Sequence, residues 1–377
     1  MKILFFIRSL DVGGAERQLV LLAKRLRERG HDIVVALSYS GGPLEKELWD
    51  SGVRIRPLYK RGRWDIPGFL FRLAQMIREE RPDILHGYLT DQNLMALLFK
   101  PLFPSLRIVW GVRCSHMDLS QFDWLSTVSF KLTCRLSRFA DAIIMNSQVG
   151  REFHVSMGYP AAKSSVIPNG VDTARFRPDA GARGRIRSEW GVAEHERLIG
   201  LAGRLDPMKD HPCFLKAAAL LTKKRTDTRF VCIGGGSDEY RTKLQILAES
   251  LGLGERLQWL GSREDMPDVY NALDIAVSSS SYGEGLSNAI CEAMACGVPC
   301  VVTNVGDSAW VVGDMGEVVP PKDSVALMAG IEKLLDQKIH DPGQIRQRIV
   351  EQLSVNSLVA NTEHTLAKLL QVSCKDI

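Results

Sequence analysis

The sequence has no apolar run long enough to span a bilayer. Its first apolar stretch, Ile3–Ile7, is five residues long and ends at Arg8. A secretory leader needs an apolar core of ~7–15 residues and a spanning helix needs ~20, so the expectation is a protein of the cytoplasm. The eight cysteines contain no Cys-x-x-Cys pair. Cys291, Cys296 and Cys300 are close together but have no nearby His or fourth thiol. This speaks against a zinc site and for reduced, interior thiols. Asp-x-Asp is also missing, and with it the usual carboxylate pair that holds a divalent ion on a diphosphate. There is no tandem repeat and no low-complexity segment.

What is present is an ordinary globular composition, 45% hydrophobic and 24% charged, in 377 residues. That length suits two domains of under ~200 residues each. The net charge of +4 is unevenly spread: residues 1–178 hold 26 Lys and Arg against 17 Asp and Glu, a surplus of +9. The remainder holds 22 against 27, or −5. A basic first half attracts phosphates, anionic lipid or nucleic acid, or is simply a solvated Arg-rich surface. Nucleic acid is the weakest of these, because the cations are not interleaved with aromatics.

Short apolar runs alternate with helical patterns. Ile3–Ile7 reads as a buried strand. Gly13-Gly14 then opens a helix with Leu19, Leu22, Ala23 and Leu26 on one face, and Gly30 ends it. Further strands are expected at Ile33–Leu37, Val53–Leu58, Ile84–His86, Ile108–Val112 and Ala142–Met145. The turn-rich Ile167–Asp172, followed by a polar Arg/Gly/Pro stretch to about Arg187, reads as a linker. A second series has strands at Leu198–Ala202, Phe230–Ile233, Leu257–Leu260, Ile275–Val277 and Cys300–Thr303. Alternation of this kind means right-handed crossovers and parallel sheets, whose ligands bind beyond the carboxyl ends of the strands. Two such halves leave a cleft between them.

Three stretches carry candidate chemistry. Gly13-Gly14-Ala15-Glu16 follows the first strand, where glycines admit a close ligand and helical N–H groups attract anions. It lacks the G-x-G-x-x-G spacing of an NAD or FAD site; a tight strand–helix turn is the alternative to ligand contact. Arg204 and Lys209 sit across a turn made non-helical by Pro207, so that both reach one pocket and stabilise a charged leaving group. A surface turn with two solvated cations is the alternative. Glu284 and Glu292, eight apart, share a helical face; if Gly285, Leu286 and Ser287 form the turn entering the helix, Glu284 stands before it and Glu292 inside it. Their carboxylates suit sugar hydroxyls, and the turn's N–H groups suit phosphate. A solvated Glu pair is the usual reading of such spacing, but the segment is otherwise apolar.

Gly13-Gly14-Ala15-Glu16, Asn169-Gly170-Val171-Asp172, Gly203-Arg204…Lys209 and the Glu284-x7-Glu292 run stand in the order found in GT4 retaining glycosyltransferases of the bacterial polysaccharide-biosynthesis type, which the chain resembles over nearly its whole length. The resemblance implies an α/β GT-B fold of two facing Rossmann-like domains with parallel sheets. Residues 1–172 would form the acceptor domain and 173–354 the donor domain, and 355–377 a helix crossing back to the first. It implies a metal-independent hexosyl transfer, without cofactor, from a nucleotide-diphosphate sugar (a UDP-sugar by the commonest family choice) to a glycan or lipid-linked acceptor. Arg204 and Lys209 would contact the diphosphate, and Gly14 beside Gly13 would approach it from the first domain. Glu284 would meet the donor sugar, Gly285 to Ser287 sugar and phosphate, and Glu292 the ribose. Many relatives have a His after the strand that corresponds to Ile108–Val112. Here Arg113 holds that position and His116 follows three residues later, so either lines the site, or His116 is a plain loop residue. The basic Lys60-Arg61-Gly62-Arg63-Trp64 and the apolar Phe99–Phe103 suggest peripheral contact with the inner face of the cytoplasmic membrane, or exposed loops without that role. The alternatives are a UDP-sugar epimerase of the same fold and an inactive nucleotide-binding subunit.

Overall fold

The structure, a computed structural model, describes residues 1–62, 64–113, 124–337 and 341–372. The chain divides into two compact units. One is Met1–Gly170 with the chain from Val355 onward, and the other is Val171–Ser354.

The first unit is built on seven parallel strands: β1 (Lys2–Ile7), β2 (Asp32–Leu37), β3 (Arg54–Pro57), β4 (Ile84–Tyr88), β5 (Arg107–Val112), β6 (Ala142–Met145) and β7 (Ser164–Val166). They lie in the order β3-β2-β1-β4-β5-β6-β7. Because side chains alternate along a strand, β1 feeds two cores. Ile3, Phe5 and Ile7 pack with Leu19, Leu22 and Leu26 of the helix Gly14–Glu28 and with Leu358, Val359 and Leu366 of the helix Val355–Val372. Leu4 and Phe6 pack on the other face with Phe69, Leu73 and Ile77 of the helix Ile66–Glu80. Burial on both faces is why these strands read as continuous apolar runs, and each such side chain contributes ~1.5–3 kcal/mol.

The second unit has six parallel strands: β8 (Arg197–Ala202), β9 (Thr228–Ile233), β10 (Leu257–Gly261), β11 (Ile275–Ser278), β12 (Cys300–Thr303) and β13 (Gly316–Val319). Their order is β10-β9-β8-β11-β12-β13. In each sheet the order reverses once, between β1 and β4 and between β8 and β11. Those reversals open the crevices at the carboxyl edge where ligands of such sheets bind.

Two features depart from the sequence reading. The stretch read as linker to Arg187 contains the helix Ala180–Glu189, whose N-cap Asp179 accepts from Ala182 N at 3.0 Å. The buried Arg187 of that helix pairs with Asp274 at 2.9 Å, and Arg183 pairs with the same carboxylate at 2.8 Å. The cap and these ion pairs outweigh the low helix propensity of Gly181 and Gly184. Strands β7 and β13 were not foreseen, because each is a short edge strand with one neighbour and little apolar signal. Among the described residues no helix is long and apolar enough to cross a membrane.

Within the first unit, Gln18 holds the turn that follows β7. Its amide donates to Gly170 O and accepts from Gly170 N, both at 2.9 Å and buried. Glycine is required at 170, since a Cβ there would lie 2.8 Å from Val355 Cα at the start of the last helix. Gln18→Leu, close in volume, leaves two buried backbone groups unsatisfied. The first unit should lose ~2–4 kcal/mol, read as the urea midpoint of its unfolding; an unchanged midpoint would mean that this turn is held by packing alone.

Candidate active site

At the carboxyl edge of the second sheet, three loops are zipped together by their backbones. Gly203 N, just beyond β8, donates to Ile233 O at 2.8 Å, and Leu205 N donates to Gly235 O at 2.8 Å. Gly234 (φ 142°) lies so close that a Cβ would sit 2.0 Å from Gly203 O. The segment Pro207–Lys209 is a single 3-10 turn, not the non-helical turn expected. Proline is tolerated at its first position, where no intrahelical N–H is needed. Asp206 caps it by accepting from Met208 N at 3.0 Å.

Beyond β11, a run of serines fixes the partner loop. Ser281 N donates to Met208 O at 2.9 Å, and Ser279 Oγ donates to Lys209 O at 2.7 Å. Thr303 Oγ1, at the end of β12, donates to Ser280 O at 2.6 Å. Glu284 then meets Lys209 in a close ion pair, and accepts from Ser280 Oγ at 3.1 Å. The pair is 17% and 11% exposed at the two side chains, sheltered enough for the attraction to act in a medium less polar than water. Behind it, Gly306 is required by space, because a Cβ would lie 2.2 Å from Glu284 O. Asp307 N donates to Gly285 O at 2.9 Å.

The sequence-predicted residues therefore fall into separate groups. Lys209 and Glu284 are brought together. Arg204 is not; it is 65% exposed, pairs with Asp206 at 3.2 Å, and lines a cavity of about 530 Å³ with Leu205, Pro207, Tyr240 and Lys243. The helix spans Asn288–Ala295, so Glu284 precedes it and only Glu292 lies on it, the arrangement expected for a turn at Gly285 to Ser287 and not a face shared along one helix. Ser287 is its N-cap but makes no side-chain cap bond. Gly285, Leu286 and Ser287 are buried in the turn between Glu284 and that helix. Glu292 accepts from the buried Tyr270 Oη at 3.0 Å. Burial, reinforced by the Glu292 carboxylate, raises the Tyr270 phenol well above its usual range and keeps it a donor.

In the first unit, Gly13 is the extended N-cap of the helix opened by Gly14, with Glu16 in its first turn. Arg113 directly follows β5 and donates to Tyr88 Oη at 2.7 Å. His116 lies outside the described residues, as does Arg63. Of the apolar stretch Phe99–Phe103, Phe99 is buried, Lys100 pairs with Asp141 at 2.7 Å, and Leu102 is exposed. Sequence reasoning missed the cavity lining from Gly236 to Lys243 and the serine and threonine supports of the Glu284 loop. The signals were legible: Gly234-Gly235-Gly236-Ser237 after β9 and Ser278–Ser281 after β11. Among the described residues, no group of three or more His, Cys, Asp and Glu is placed to hold a metal ion.

Residues 182–352 match the model of the glycosyl transferases group 1, and residues 12–175 match that of glycosyltransferase family 4. The chain belongs to the GT4-type glycosyltransferases, and its two all-parallel Rossmann-like units are those of the GT-B fold. It is 32% identical over 211 residues to the GDP-mannose-dependent alpha-(1-6)-phosphatidylinositol monomannoside mannosyltransferase of Mycolicibacterium smegmatis, covering 53% of this chain and 54% of that protein. The chain thus spans about half the length of that relative. It is 26% identical over 283 residues to the UDP-Gal:alpha-D-GlcNAc-diphosphoundecaprenol alpha-1,3-galactosyltransferase of Escherichia coli, covering 72% of this chain and 70% of that protein. In fold it is similar to Anabaena HepE, solved with UDP and glucose, at a TM-score of 0.87 and 22% identity over 97% of this chain and 99% of that one.

Next to Lys209, His211 is fully buried, and neither ring nitrogen has a partner among the described residues. Burial, then the Lys209 charge, push its imidazole down to about 4. The unfolded chain carries an ordinary imidazole near ~6.5, so between these values it binds more protons than the folded protein. Stability is therefore complete above pH ~6.5, falls as the pH drops, and levels off below 4, a loss of ~3 kcal/mol in all. Urea unfolding of the second unit followed from pH 7 to 4 should show this slope, and His211→Gln should flatten it. The same slope in both proteins would assign acid sensitivity to other groups.

Proposed function

We propose that the protein transfers a hexose from a UDP-sugar to a glycan or lipid-linked acceptor, with retention at the anomeric carbon and without a metal ion. The observation that carries this reading is the Lys209–Glu284 pair, set at the carboxyl edge of the second sheet four residues before the helix that bears Glu292. The C1–O bond to the diphosphate breaks as the acceptor oxygen bonds to C1 on the same face, and the departing phosphate oxygen takes the acceptor's proton. Negative charge grows on the diphosphate, and Lys209, with the more exposed Arg204, offsets it. Glu284 accepts hydrogen bonds from sugar hydroxyls and Glu292 from the ribose. The N–H groups of Gly285, Leu286 and Ser287 serve the sugar and phosphate, and Gly13 and Gly14 the diphosphate. Metal independence is supported by this cation pair and by the missing Asp-x-Asp. The UDP choice is supported by the Escherichia coli relative and by HepE; the mycobacterial relative, which uses GDP-mannose, makes GDP the comparison to run.

Transfer from a UDP-sugar should survive excess EDTA, and Lys209→Ala should lower kcat on the order of 10²–10³. Complete loss in EDTA that Mg²⁺ restores would overturn metal independence. A raised KM at unchanged kcat would limit Lys209 to ground-state binding. Sugar epimerised from donor alone would indicate the epimerase reading.

We also place the working protein at an anionic membrane surface. The charge surplus of residues 1–178 supports this, as do Tyr59, Trp64, Phe71 and Leu102, at 64%, 85%, 70% and 67% exposure. Each Lys or Arg near such a surface contributes ~1 kcal/mol, screened as the Debye length shrinks to ~3 Å at 1 M salt. Vesicles containing phosphatidylglycerol should carry the protein in flotation at low salt and release it at high salt. Lys60→Ser with Arg61→Ser should weaken that binding. Equal recovery with neutral and anionic vesicles would leave the asymmetry as ordinary surface.

A further inference from the structure

Arg113 is a half-buried cation whose described partners are all neutral. Its Nη2 donates to Tyr88 Oη at 2.7 Å, its guanidinium lies 4.7 Å from the centroid of the Tyr88 ring, and Nη1 is 3.4 Å from Asn169 Oδ1. Its Nε is buried and has no partner among the described residues. Behind Tyr88 is His86, with ring centroids 4.9 Å apart, fully buried and with both nitrogens unpartnered among the described residues. Desolvation, then the Arg113 charge, keep His86 neutral.

The fold goes to some length to hold this arrangement. Gly111 lies against both rings, and a Cβ there would sit 3.3 Å from His86 Nε2 and 3.3 Å from Tyr88 Cδ2. Leu89, directly after Tyr88, has φ 71° and ψ 167°, a conformation that side-chain-bearing residues rarely adopt and that clusters at functional sites. Tyr88, Leu89, Gly111 and Arg113 stand at the carboxyl edge of β4 and β5, beside the point where the strand order reverses. A sheltered guanidinium is ordinarily balanced by a carboxylate, as Arg187 is by Asp274. Arg113 is oriented by a phenol and an amide instead, which fix its planar fork without neutralising it. Among the described residues no carboxylate takes up its charge, and the fork matches two oxygens of a phosphate.

We infer that Arg113, positioned by Tyr88 and Asn169, is a phosphate-binding group of the first unit. The phosphate belongs either to the nucleotide diphosphate or to a phosphorylated acceptor, and only this question of source rests on the transfer reading above.

The test is calorimetric titration of the full chain with UDP, and with inorganic pyrophosphate in UDP-saturated protein. Arg113→Gln should weaken one of these by about tenfold or more, as loss of a charge-assisted bond does. Arg113→Lys, which keeps the charge without the fork, should weaken it less. Tyr88→Phe should lower the same affinity several-fold and leave the other probe's affinity unchanged, a selectivity that a merely structural role would not give. Weakened pyrophosphate binding in UDP-saturated protein assigns the acceptor's phosphate, and weakened UDP binding assigns the nucleotide's. Wild-type affinity of a folded Arg113→Gln protein for both probes would overturn the site. If Arg113→Gln fails to fold, Arg113→Lys with full affinity for both probes would not support the fork, and wild-type affinities in Tyr88→Phe as well would overturn the proposal. Failure of sugar transfer in a protein that binds both probes counts against the transfer reading and leaves this site intact.

Discussion

Every strand in each sheet runs the same way, and that constraint governs where chemistry can be placed. A parallel strand cannot return through a tight hairpin, so each connection crosses over through a helix. All the loops that leave the carboxyl ends then gather along one edge. The strand order decides which of them meet. β11 lies beside β8 although β9 and β10 intervene in the chain, so Lys209, after β8, and Glu284, after β11, touch across 75 residues of sequence. In the first unit β5 lies beside β4, which sets Arg113 against Tyr88.

The cations of the two units are held in different ways, and the differences have electrostatic meaning. Arg187 is nearly buried and shares Asp274 with Arg183 and Arg197. It is a structural charge, paired with a carboxylate of its own unit. Lys209 has one carboxylate partner in Glu284 and stands on a flexible stem. A compact ammonium can exchange one anion for another with little geometric cost, whereas a guanidinium fork cannot without losing its paired bonds. Arg204, two-thirds exposed, meets only Asp206. A surface pair of this kind is worth ~0–1 kcal/mol, so it constrains Arg204 very little.

Much of the fold was legible in the sequence, for one reason. Strands buried on both faces must be apolar throughout, and β1, β2, β5, β6 and β8 announce themselves as such runs. Where burial is one-sided or the strand is short, the signal fades: Ser164-Ser165-Val166 and Gly316–Val319 carry too little apolar character to be told from loop. The helix Ala180–Glu189 was hidden by its composition. Two glycines and three arginines read as linker until tertiary partners are known, and it is Asp274, about ninety residues away, that gives Arg183 and Arg187 their purpose. The shared face of Glu284 and Glu292 failed for a related reason. Spacing of eight implies a face only if the helix includes both ends, and Gly285 and the Ser287 cap delay its start to Asn288.

The candidate site divides along the same line. Residues in short local patterns, such as Arg204 to Lys209 and Glu284 to Glu292, can be recognised because backbone geometry demands glycines and turns at fixed offsets. Their supports cannot. Ser279, Ser280 and Thr303 act through hydroxyls that bond to main chain of other loops, and nothing in a serine's neighbours says which carbonyl it will meet. Tyr88 is a sharper case. By sequence it is one more apolar residue at the end of a buried strand. Its hydroxyl gains meaning only because Gly111, on the adjacent strand, leaves room for the rings. Buried polar groups that orient a charge are thus specified by pairwise packing between strands. For the first unit, where the cation is held by a phenol and an amide, side-chain geometry and not motif is the proper evidence for what the edge binds.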